Sequence, residues 1–382
     1  MIFSGRQQYD LLERGYSRRQ FARIASFFAS GAVSIPLGTE YSYAQRRKDL
    51  PKDAVKLNAN ENPLGPCAEA IEAIHNVIKL GGHYHNELTD EFAATLAAQS
   101  GLPPDHVVPY PGSSMPLHQS VLAFCSPKRP WIHAEPGYEA APVAAQFIGA
   151  KVIAVPLVPK IYAHDVKTMA KAAALSNAGA IYVCNPNNPT GTLTPDVDIT
   201  WLADNMPKDC VMVLDEAYIH IAGAPMRVDL VKSGKNIVIL RTFSKIYGMA
   251  GLRAGAAIGR PDLMYKIRGW TFGPMPITGM VGATASLKSK DVVPVRRKII
   301  ADTRRDVLAF LAQKGYTTTP SVSNNFMLDV RRPSATFAAA LAREKVYIAN
   351  RWPVWPTQVR VSIGTPEEMD KFKAAFVKVM KS

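Results

Sequence analysis

From Val107 to Gly259 the chain alternates short apolar runs, many of them rich in β-branched residues, with stretches of helical periodicity. This alternation is typical of βαβ units, in which parallel strands are joined by crossover helices. Strands are predicted at these apolar runs: Val107–Tyr110, Pro130–Ala134, Lys151–Val155, Ala178–Val183, Val211–Leu214, Asn236–Leu240 and Ala254–Gly259. We therefore predict an α/β fold with a mostly parallel sheet, in which right-handed crossovers bring the carboxyl ends of the strands to one edge.

The composition is that of a soluble globular protein, because 47% of the 382 residues are hydrophobic and 20% are charged. This length is enough for a large domain and a smaller one. The net charge is +14, but the basic residues are scattered, so we expect no nucleic-acid partner. The four cysteines form no Cys-x-x-Cys pair, and no further ligand joins His83 and His85 at metal-binding spacing. We therefore expect neither a disulfide framework nor a metal site.

The first residues carry the pattern of an export signal. The segment Ser17–Arg23 contains a twin-arginine run, a moderately apolar segment follows at Ile24–Gly38, and small residues precede Ala44. This order resembles a twin-arginine signal cleaved after Ala44, and it is too short and weakly apolar for stable membrane anchoring. It predicts export by the twin-arginine machinery to the periplasm or the medium. The alternative is an amphipathic helix that stays attached.

We expect residues 1–44 to lie outside the fold and divide the remaining chain into three parts. These are an N-terminal arm (45–80) that contributes to the small domain, a large domain (81–290) and a small C-terminal domain (291–382). Helical periodicity predicts long helices over residues 68–80, 87–100, 292–314 and 366–380. Apolar alternation in the C-terminal part predicts strands over residues 323–329, 346–349 and 359–363.

Polar residues follow the predicted strands where their carboxyl ends meet, which is where open α/β sheets bind ligands. The set comprises Ser113, Ser114, Tyr138, Asn185, Asn188, Asp215, Tyr218 and Lys245. A small-residue turn at a helix N-terminus, as at Gly112–Ser114, offers backbone N–H groups to a phosphate. Taken alone, each serine is equally well explained as a helix N-cap.

Asp215 and Lys245 are the most informative members of this set. A carboxylate that ends a buried strand needs a cation, and a protonated pyridine nitrogen is such a cation. A lysine between two apolar runs has a lowered pKa and becomes a nucleophile toward a carbonyl. The simpler alternatives are that Asp215 caps a helix and that Lys245 is an exposed loop lysine.

Five motifs together resemble the fold-type-I, pyridoxal-phosphate-dependent aminotransferases of class I/II, in particular the histidinol-phosphate aminotransferase branch. In order, the motifs are Asn58–Pro63, Asn185–Gly191, Asp215–Tyr218, Thr242–Lys245 and Ala250–Arg253. The resemblance covers essentially the whole chain after the signal. It implies a three-layer sandwich around a mostly parallel seven-stranded sheet, with a smaller α+β domain.

The same resemblance implies roles for individual residues. Lys245 is expected to form a Schiff base with the cofactor aldehyde and then to move the substrate proton. Asp215 would pair with the pyridine nitrogen, Tyr138 would stack on the ring, and Asn188 and Tyr218 would hydrogen-bond its hydroxyl oxygen. The residues expected to hold the phosphate are Ser113, Ser114, Thr242, Ser244 and Arg253, joined by Tyr84 from the neighbouring subunit of a homodimer. Substrate would be bound by Arg360, Asn60 and Asn188.

The chain departs from the family pattern around the substrate pocket. Ser114-Met115 stands where an acidic pair is usual, Glu139–Ala141 follows the stacking tyrosine without a second aromatic residue, and Asn350–Trp355 replaces a short Val-Arg-Asp stretch. The implied reaction is transfer of an amino group from an amino acid, or a histidinol-phosphate-like amine, to a 2-oxo acid. A lyase, decarboxylase or amino-acid oxidase on the same fold is the alternative. A non-catalytic regulator is disfavoured, because residues 45–80 resemble no DNA-binding head.

Overall fold

The computed structural model describes residues 5–17, 19–20, 22, 24, 50–269, 274–350 and 352–381. Its centre is a seven-stranded sheet with the strand order β2-β8-β7-β6-β5-β3-β4. The strands are β2 (Val107–Tyr110), β3 (Trp131–Glu135), β4 (Val152–Pro156), β5 (Ala180–Cys184), β6 (Val211–Asp215), β7 (Ile237–Thr242) and β8 (Gly255–Gly259). β8 runs antiparallel to both of its neighbours, and the other pairs in this sheet are parallel. The predicted α/β class with a mostly parallel sheet is confirmed.

Helices cover this sheet and connect its strands. In chain order, those of the described N-terminal segment, arm and sheet region are α1 (Gly5–Glu13), α2 (Ala68–Val77), α3 (Asn86–Ser100), α4 (Ser114–Phe124), α5 (Ala140–Phe147), α6 (Val166–Ser176), α7 (Asp196–Asn205), α8 (Ile219–Ala222), α9 (Val228–Lys232), α10 (Pro261–Arg268) and α11 (Ile277–Lys288). Every residue of strands β5 to β8 is buried. Burial on both faces explains why these strands read as continuous apolar runs.

The C-terminal part forms a smaller α+β unit. Its helices are α12 (Val292–Gln313), α13 (Ser334–Arg343) and α14 (Pro366–Lys381). β9 (Asn325–Asp329) pairs antiparallel with β11 (Gln358–Ser362), and β10 (Val346–Ile348) pairs parallel with β1 (Val55–Leu57) of the arm. The arm therefore joins the small unit by a strand and then continues through residues 58–62 toward the large sheet.

The described residues of the N-terminal segment pack on the large sheet domain, contrary to the expectation that they lie outside the fold. Leu11 and Tyr16 are only 2% and 3% exposed. Arg14 donates hydrogen bonds to the carbonyl oxygens of Leu122 (2.6 Å) and Cys125 (2.8 Å), and the Tyr16 hydroxyl donates to Cys125 O over 3.1 Å. These carbonyls end helix α4, where C-terminal carbonyls lack partners within the helix and favour a cation.

The rest of the predicted signal lies largely outside the described residues, including Arg18, Phe21 and the cleavage site at Ala44. Within the described part of the chain, no helix has the length and apolar character needed to cross a bilayer. The export signal itself stays a prediction.

Candidate active site

Lys245 lies just beyond the carboxyl end of β7, beside the arm and Tyr218. Its Nζ donates a hydrogen bond to Ala59 O over 3.1 Å and lies 5.7 Å from the centre of the Tyr218 ring. The side chain keeps some accessible surface, although protein atoms surround it closely. Desolvation, helped by the nearby Arg360 guanidinium, lowers the pKa of Lys245 to about 8. About a tenth of the amine is therefore neutral at pH 7, far more than for an ordinary lysine, which favours its action as a nucleophile or base.

Asp215 ends β6, the central strand of the sheet, and is 4% exposed. Its Oδ2 accepts a hydrogen bond from the Tyr182 hydroxyl at 2.9 Å, and its Oδ1 accepts one from Ala217 N at 3.1 Å. Burial raises the pKa of Asp215 to about 6, while both hydrogen bonds oppose the shift. The carboxylate is thus oriented by two donors and would be stabilised further by a cationic ring nitrogen.

Tyr182, which was not among the predicted site residues, supports Asp215 from inside strand β5. In the sheet register Tyr182 lies two positions before Cys184, and Cys184 pairs with Asp215. The only signal in the sequence is a hydroxyl group within an otherwise apolar run. Since Tyr182 and Asp215 are 33 residues apart, their contact depends on strand pairing and could not be read from local pattern.

Three consecutive residues of the arm contact the residues around Lys245. Asn58 O accepts a hydrogen bond from Arg360 Nη2 at 2.5 Å, and Ala59 O accepts the hydrogen bond from Lys245 Nζ. Asn60 Nδ2 donates a hydrogen bond to the Tyr218 hydroxyl over 3.1 Å. Burial raises the pKa of Tyr218, so its phenol stays protonated. The structure thus brings the predicted residues Asn60 and Tyr218 together beside Lys245.

A turn before α4 forms one wall of an anion-binding cradle. Gly112 has φ +95°, a conformation that favours glycine, and Ser113 and Ser114 follow at the start of the helix. Arg253 Nη2 donates a hydrogen bond to Pro111 O over 2.9 Å. A Cβ on Gly112 would lie only 2.5 Å from that nitrogen, so the residue must be glycine for the guanidinium to approach. Backbone N–H groups, hydroxyls and a cation thus converge as a phosphate requires.

The opposite wall comes from the end of β7. Thr242 and Tyr110 both pair with Gly255 of β8, which places the segments after β2 and β7 on either side of one strand. The Thr242 hydroxyl donates to Ser244 Oγ over 2.9 Å and accepts from Ser244 N at 3.2 Å. This register explains how residues more than a hundred positions apart can form one cradle.

Tyr138 lies in the turn after β3 and is half-buried. Burial and the neighbouring Glu139 carboxylate raise the pKa of Tyr138 to about 12, while a side-chain hydrogen bond with Ser114 opposes the shift. The phenol therefore stays neutral and is tied to the phosphate cradle. This placement is compatible with the predicted stacking role.

Arg360 on β11 is buried and reaches the arm and Asn188 from the small unit. Its Nη1 donates a hydrogen bond to Asn188 Oδ1 over 2.7 Å, and its guanidinium lies 5.1 Å from the centre of the Trp352 ring. The structure therefore joins the two predicted substrate-binding residues, Arg360 and Asn188.

Two further predicted residues make no contact with Lys245 in this chain. Tyr84 is 71% exposed, and its predicted role in the neighbouring subunit's site stays a prediction. Asn185 is buried and bonds through both side-chain groups to the backbone of Thr194, so it holds a turn together. The described residues contain no group of three or more metal-ligating side chains, and all four cysteines are free thiols.

These residues fit pyridoxal phosphate. A buried carboxylate suits the ring nitrogen, an amine of lowered pKa suits the aldehyde, and the cradle around Gly112 and Arg253 suits the phosphate. A seven-stranded sheet of this order, with Lys245 and Asp215 at the carboxyl ends of adjacent strands, defines a fold-type-I pyridoxal-phosphate enzyme.

Comparison with known proteins identifies the family. The family model for aminotransferases of class I and II matches residues 52–376, so the chain belongs to this family and is a pyridoxal-phosphate-dependent aminotransferase. It is 34% identical to an aromatic amino acid aminotransferase of Thermobifida fusca over 92% of this chain and 96% of the relative. It is 33% identical to a histidinol-phosphate aminotransferase of Symbiobacterium thermophilum over 85% and 90%, respectively.

Solved structures agree with this assignment. The fold is similar to a putative histidinol-phosphate aminotransferase from Erwinia carotovora atroseptica, with a TM-score of 0.83 and 26% identity over 86% of this chain and 96% of the other. It is also similar to the Sinorhizobium meliloti histidinol-phosphate aminotransferase in complex with pyridoxal 5'-phosphate, with a TM-score of 0.77 and 25% identity over 86% and 91%, respectively. The predicted family, reaction type and cofactor are confirmed.

Proposed function

We propose that this aminotransferase takes an α-amino acid as its donor, an aromatic one in the first place, and a 2-oxo acid as its acceptor. The observation that carries the proposal is the position of Arg360, which reaches Asn188 beside the cofactor site. Its guanidinium donates hydrogen bonds to the Asn188 side chain and to Asn58 O, and the planar guanidinium is suited to binding a carboxylate through two charge-assisted hydrogen bonds. The similarity to an aromatic amino acid aminotransferase supports the choice of side chain.

The residues of this chain then have distinct tasks. Bound pyridoxal phosphate supplies an aldehyde that accepts the amino group and a ring that stabilises negative charge. Lys245, with its pKa of about 8, would take the proton from the α-carbon of the donor and deliver it to the carbon of the cofactor aldehyde. Asp215 would hold the ring nitrogen in its protonated form, and Arg360 would orient the α-carboxylate. Tyr138, which is half-buried beside the phosphate cradle, would stack on the ring.

The donor assignment is tested by comparing phenylalanine, tyrosine, tryptophan and histidinol phosphate with one acceptor, 2-oxoglutarate. We expect kcat/KM for at least one aromatic amino acid to exceed that for histidinol phosphate by tenfold or more. Arg360→Gln should lower kcat/KM for the amino acids about a hundredfold, since a charged bond to the α-carboxylate is lost. Preference for histidinol phosphate would contradict the proposal.

We also propose that the enzyme is a homodimer whose sites are shared. Tyr84 is 71% exposed, and exposed apolar side chains, Ile78 and Leu80, precede it in the chain. An exposed apolar patch of this kind supports a subunit interface. In this arrangement Tyr84 of each subunit reaches the cofactor phosphate of its partner.

Mixed dimers test the shared site directly. A chain with Tyr84→Ala and a chain with Lys245→Ala are each expected to be nearly inactive alone. When they are co-expressed and purified through different tags, the heterodimer should regain one intact site and up to about half of wild-type activity per dimer. Failure to regain activity in a heterodimer that does form would show that Tyr84 does not act across an interface.

We further propose that the chain is exported by the twin-arginine route, on the strength of the Ser17–Arg23 run. Replacing Arg18 and Arg19 by lysine should retain the protein in the cytoplasm at its full length. Cell fractionation with amino-terminal sequencing of the wild-type protein should give a periplasmic form beginning after Ala44. A wild-type protein found only in the cytoplasm with residues 1–44 intact would contradict the proposal.

A further inference from the structure

Trp352 lies between the substrate anchor and the loop of the ring-stacking tyrosine. It is 6% exposed and packs with Met327 and Ala349, which belong to the small unit. Its ring covers the Arg360 guanidinium at 5.1 Å, and its Nε1 donates a hydrogen bond to Gly137 O over 3.1 Å. One side chain therefore touches the arginine that binds the anion and the residue that precedes Tyr138.

The loop that receives this bond has little freedom of its own. A Cβ on Gly137 would lie 2.4 Å from Ala134 O, so only glycine fits the close approach of these two backbone segments. The preceding carbonyl, Pro136 O, accepts a hydrogen bond from Asn187 Nδ2 at 3.3 Å. Gly137 is thus a fixed point of the large domain, and the bond from Trp352 ties the small unit to it.

The contact with Arg360 has a direct consequence for anion binding. An aromatic face attracts a guanidinium and removes water from one of its sides. Arg360 is also fixed from the backbone, because its N–H and carbonyl exchange hydrogen bonds with Ala349. With the guanidinium held in advance, less conformational entropy is lost when a carboxylate binds.

We propose that Trp352 is a positioning residue that sets the affinity of the Arg360 site for the substrate's α-carboxylate. This inference rests on the proposed amino acid donor. Trp352 does not touch the reacting atoms and acts through Arg360. It is one of the residues by which this chain departs from its family pattern, and it makes the anion site depend on an aromatic side chain.

The test measures binding of 3-phenylpropionate, an aromatic acid without an amino group, to the cofactor-loaded enzyme by calorimetry. Trp352→Met fills a similar volume without an aromatic face, and we expect its dissociation constant to rise about tenfold. In turnover, KM for the amino donor should rise about tenfold while kcat changes less than about threefold, as expected when uniform binding is lost. Trp352→Phe restores an aromatic face and should bind within about threefold of wild type.

Two controls distinguish an effect on the position of Arg360 from a general loss of folded structure. Trp355→Phe alters the neighbouring tryptophan, which packs edge-on against Tyr162 at 5.4 Å, and should leave binding unchanged. In an Arg360→Gln background, Trp352→Met should cause no further loss, because residues that act through one another are not additive. If Trp352→Met does not fold, judged by cofactor absorbance and unfolding midpoint, Trp352→Leu takes its place.

The outcomes are distinguishable. Three results would each overturn the role of Trp352 while leaving the proposed donor intact. These are an unchanged affinity for 3-phenylpropionate in Trp352→Met, an equally weakened affinity in Trp352→Phe, and a full tenfold loss of affinity when Trp352→Met is added to Arg360→Gln. If the wild-type enzyme binds no 3-phenylpropionate and Arg360→Gln changes nothing, the amino acid donor fails, and this inference fails with it.

Discussion

At the scale of single residues, the site depends on ionisable groups with shifted pKa values. Lys245 and Asp215 could be predicted from sequence because Asp215 ends a continuous apolar run and Lys245 lies between two such runs. The contacts that support the site could not be predicted from the sequence. The bond from Tyr182 to Asp215 depends on strand register, and the bond from Arg360 to Asn58 joins residues 302 positions apart. Local patterns carry no information about such pairs.

The lowered pKa of Lys245 predicts a pH profile for cofactor capture by the cofactor-free protein. Only the neutral amine attacks the aldehyde, so the rate should rise with pH and level off above about 8, where Lys245 has lost its proton. Stopped-flow absorbance with added pyridoxal phosphate between pH 7 and 10 measures this rate. A rate still rising tenfold per pH unit beyond pH 9 would indicate an ordinary lysine, whose pKa is about 10.4. Lys245→Ala provides the baseline.

At the scale of elements, the strands and long helices could be predicted because burial and amphipathicity impose clear periodicities. The long helix predicted over residues 292–314 is observed as Val292–Gln313. The antiparallel direction of β8 could not be predicted, since an apolar run does not encode its direction. Short helices such as Ile219–Ala222 also leave too little periodic sequence to recognise.

The turn before α4 provides a prediction at this scale. Gly112→Ala places a residue with a side chain at φ +95°, which is a strained conformation. It also displaces the Arg253 guanidinium, because the new Cβ would lie 2.5 Å from Arg253 Nη2. We expect the affinity for pyridoxal phosphate, measured by equilibrium dialysis, to fall tenfold or more. Gly234→Ala is the matched control. Gly234 has φ +76° but no neighbour within 4 Å, so this change should cost about 1 kcal/mol of stability. Its cofactor affinity should be unchanged, and equal losses in both variants would contradict the account.

At the scale of the whole molecule, the amino-terminal segment is held by the domain that it precedes. The segment was predicted to lie outside the fold because the sequence shows its signal-like composition. The sequence does not show that the segment donates hydrogen bonds to carbonyl groups at the end of α4. Lys128 Nζ adds a further bond to Glu13 O over 3.0 Å. A full-length chain should therefore be more stable than one lacking the segment.

Arg14→Ala tests this contact in the full-length chain. Hydrogen bonds from a charged donor typically contribute about 1.5–3 kcal/mol, so we expect the free energy of unfolding in urea to fall by about 2 kcal/mol. Arg19→Ala, an exposed arginine of the same segment, should leave it unchanged. The protein must carry residues 1–44, which amino-terminal sequencing confirms. Equal unfolding midpoints for wild type and Arg14→Ala would show that the segment does not stabilise the domain.

As an aminotransferase, this chain transfers an amino group to an acceptor and does not release it. The most direct measurement is a single half-reaction of the cofactor-loaded enzyme with phenylalanine under nitrogen, with the 2-oxo acid product and the cofactor form quantified together. We expect one 2-oxo acid and one pyridoxamine phosphate per active site, with the original visible absorbance restored when 2-oxoglutarate is added. Release of ammonia or carbon dioxide in that amount, or a reaction that proceeds only when oxygen is admitted, would contradict it.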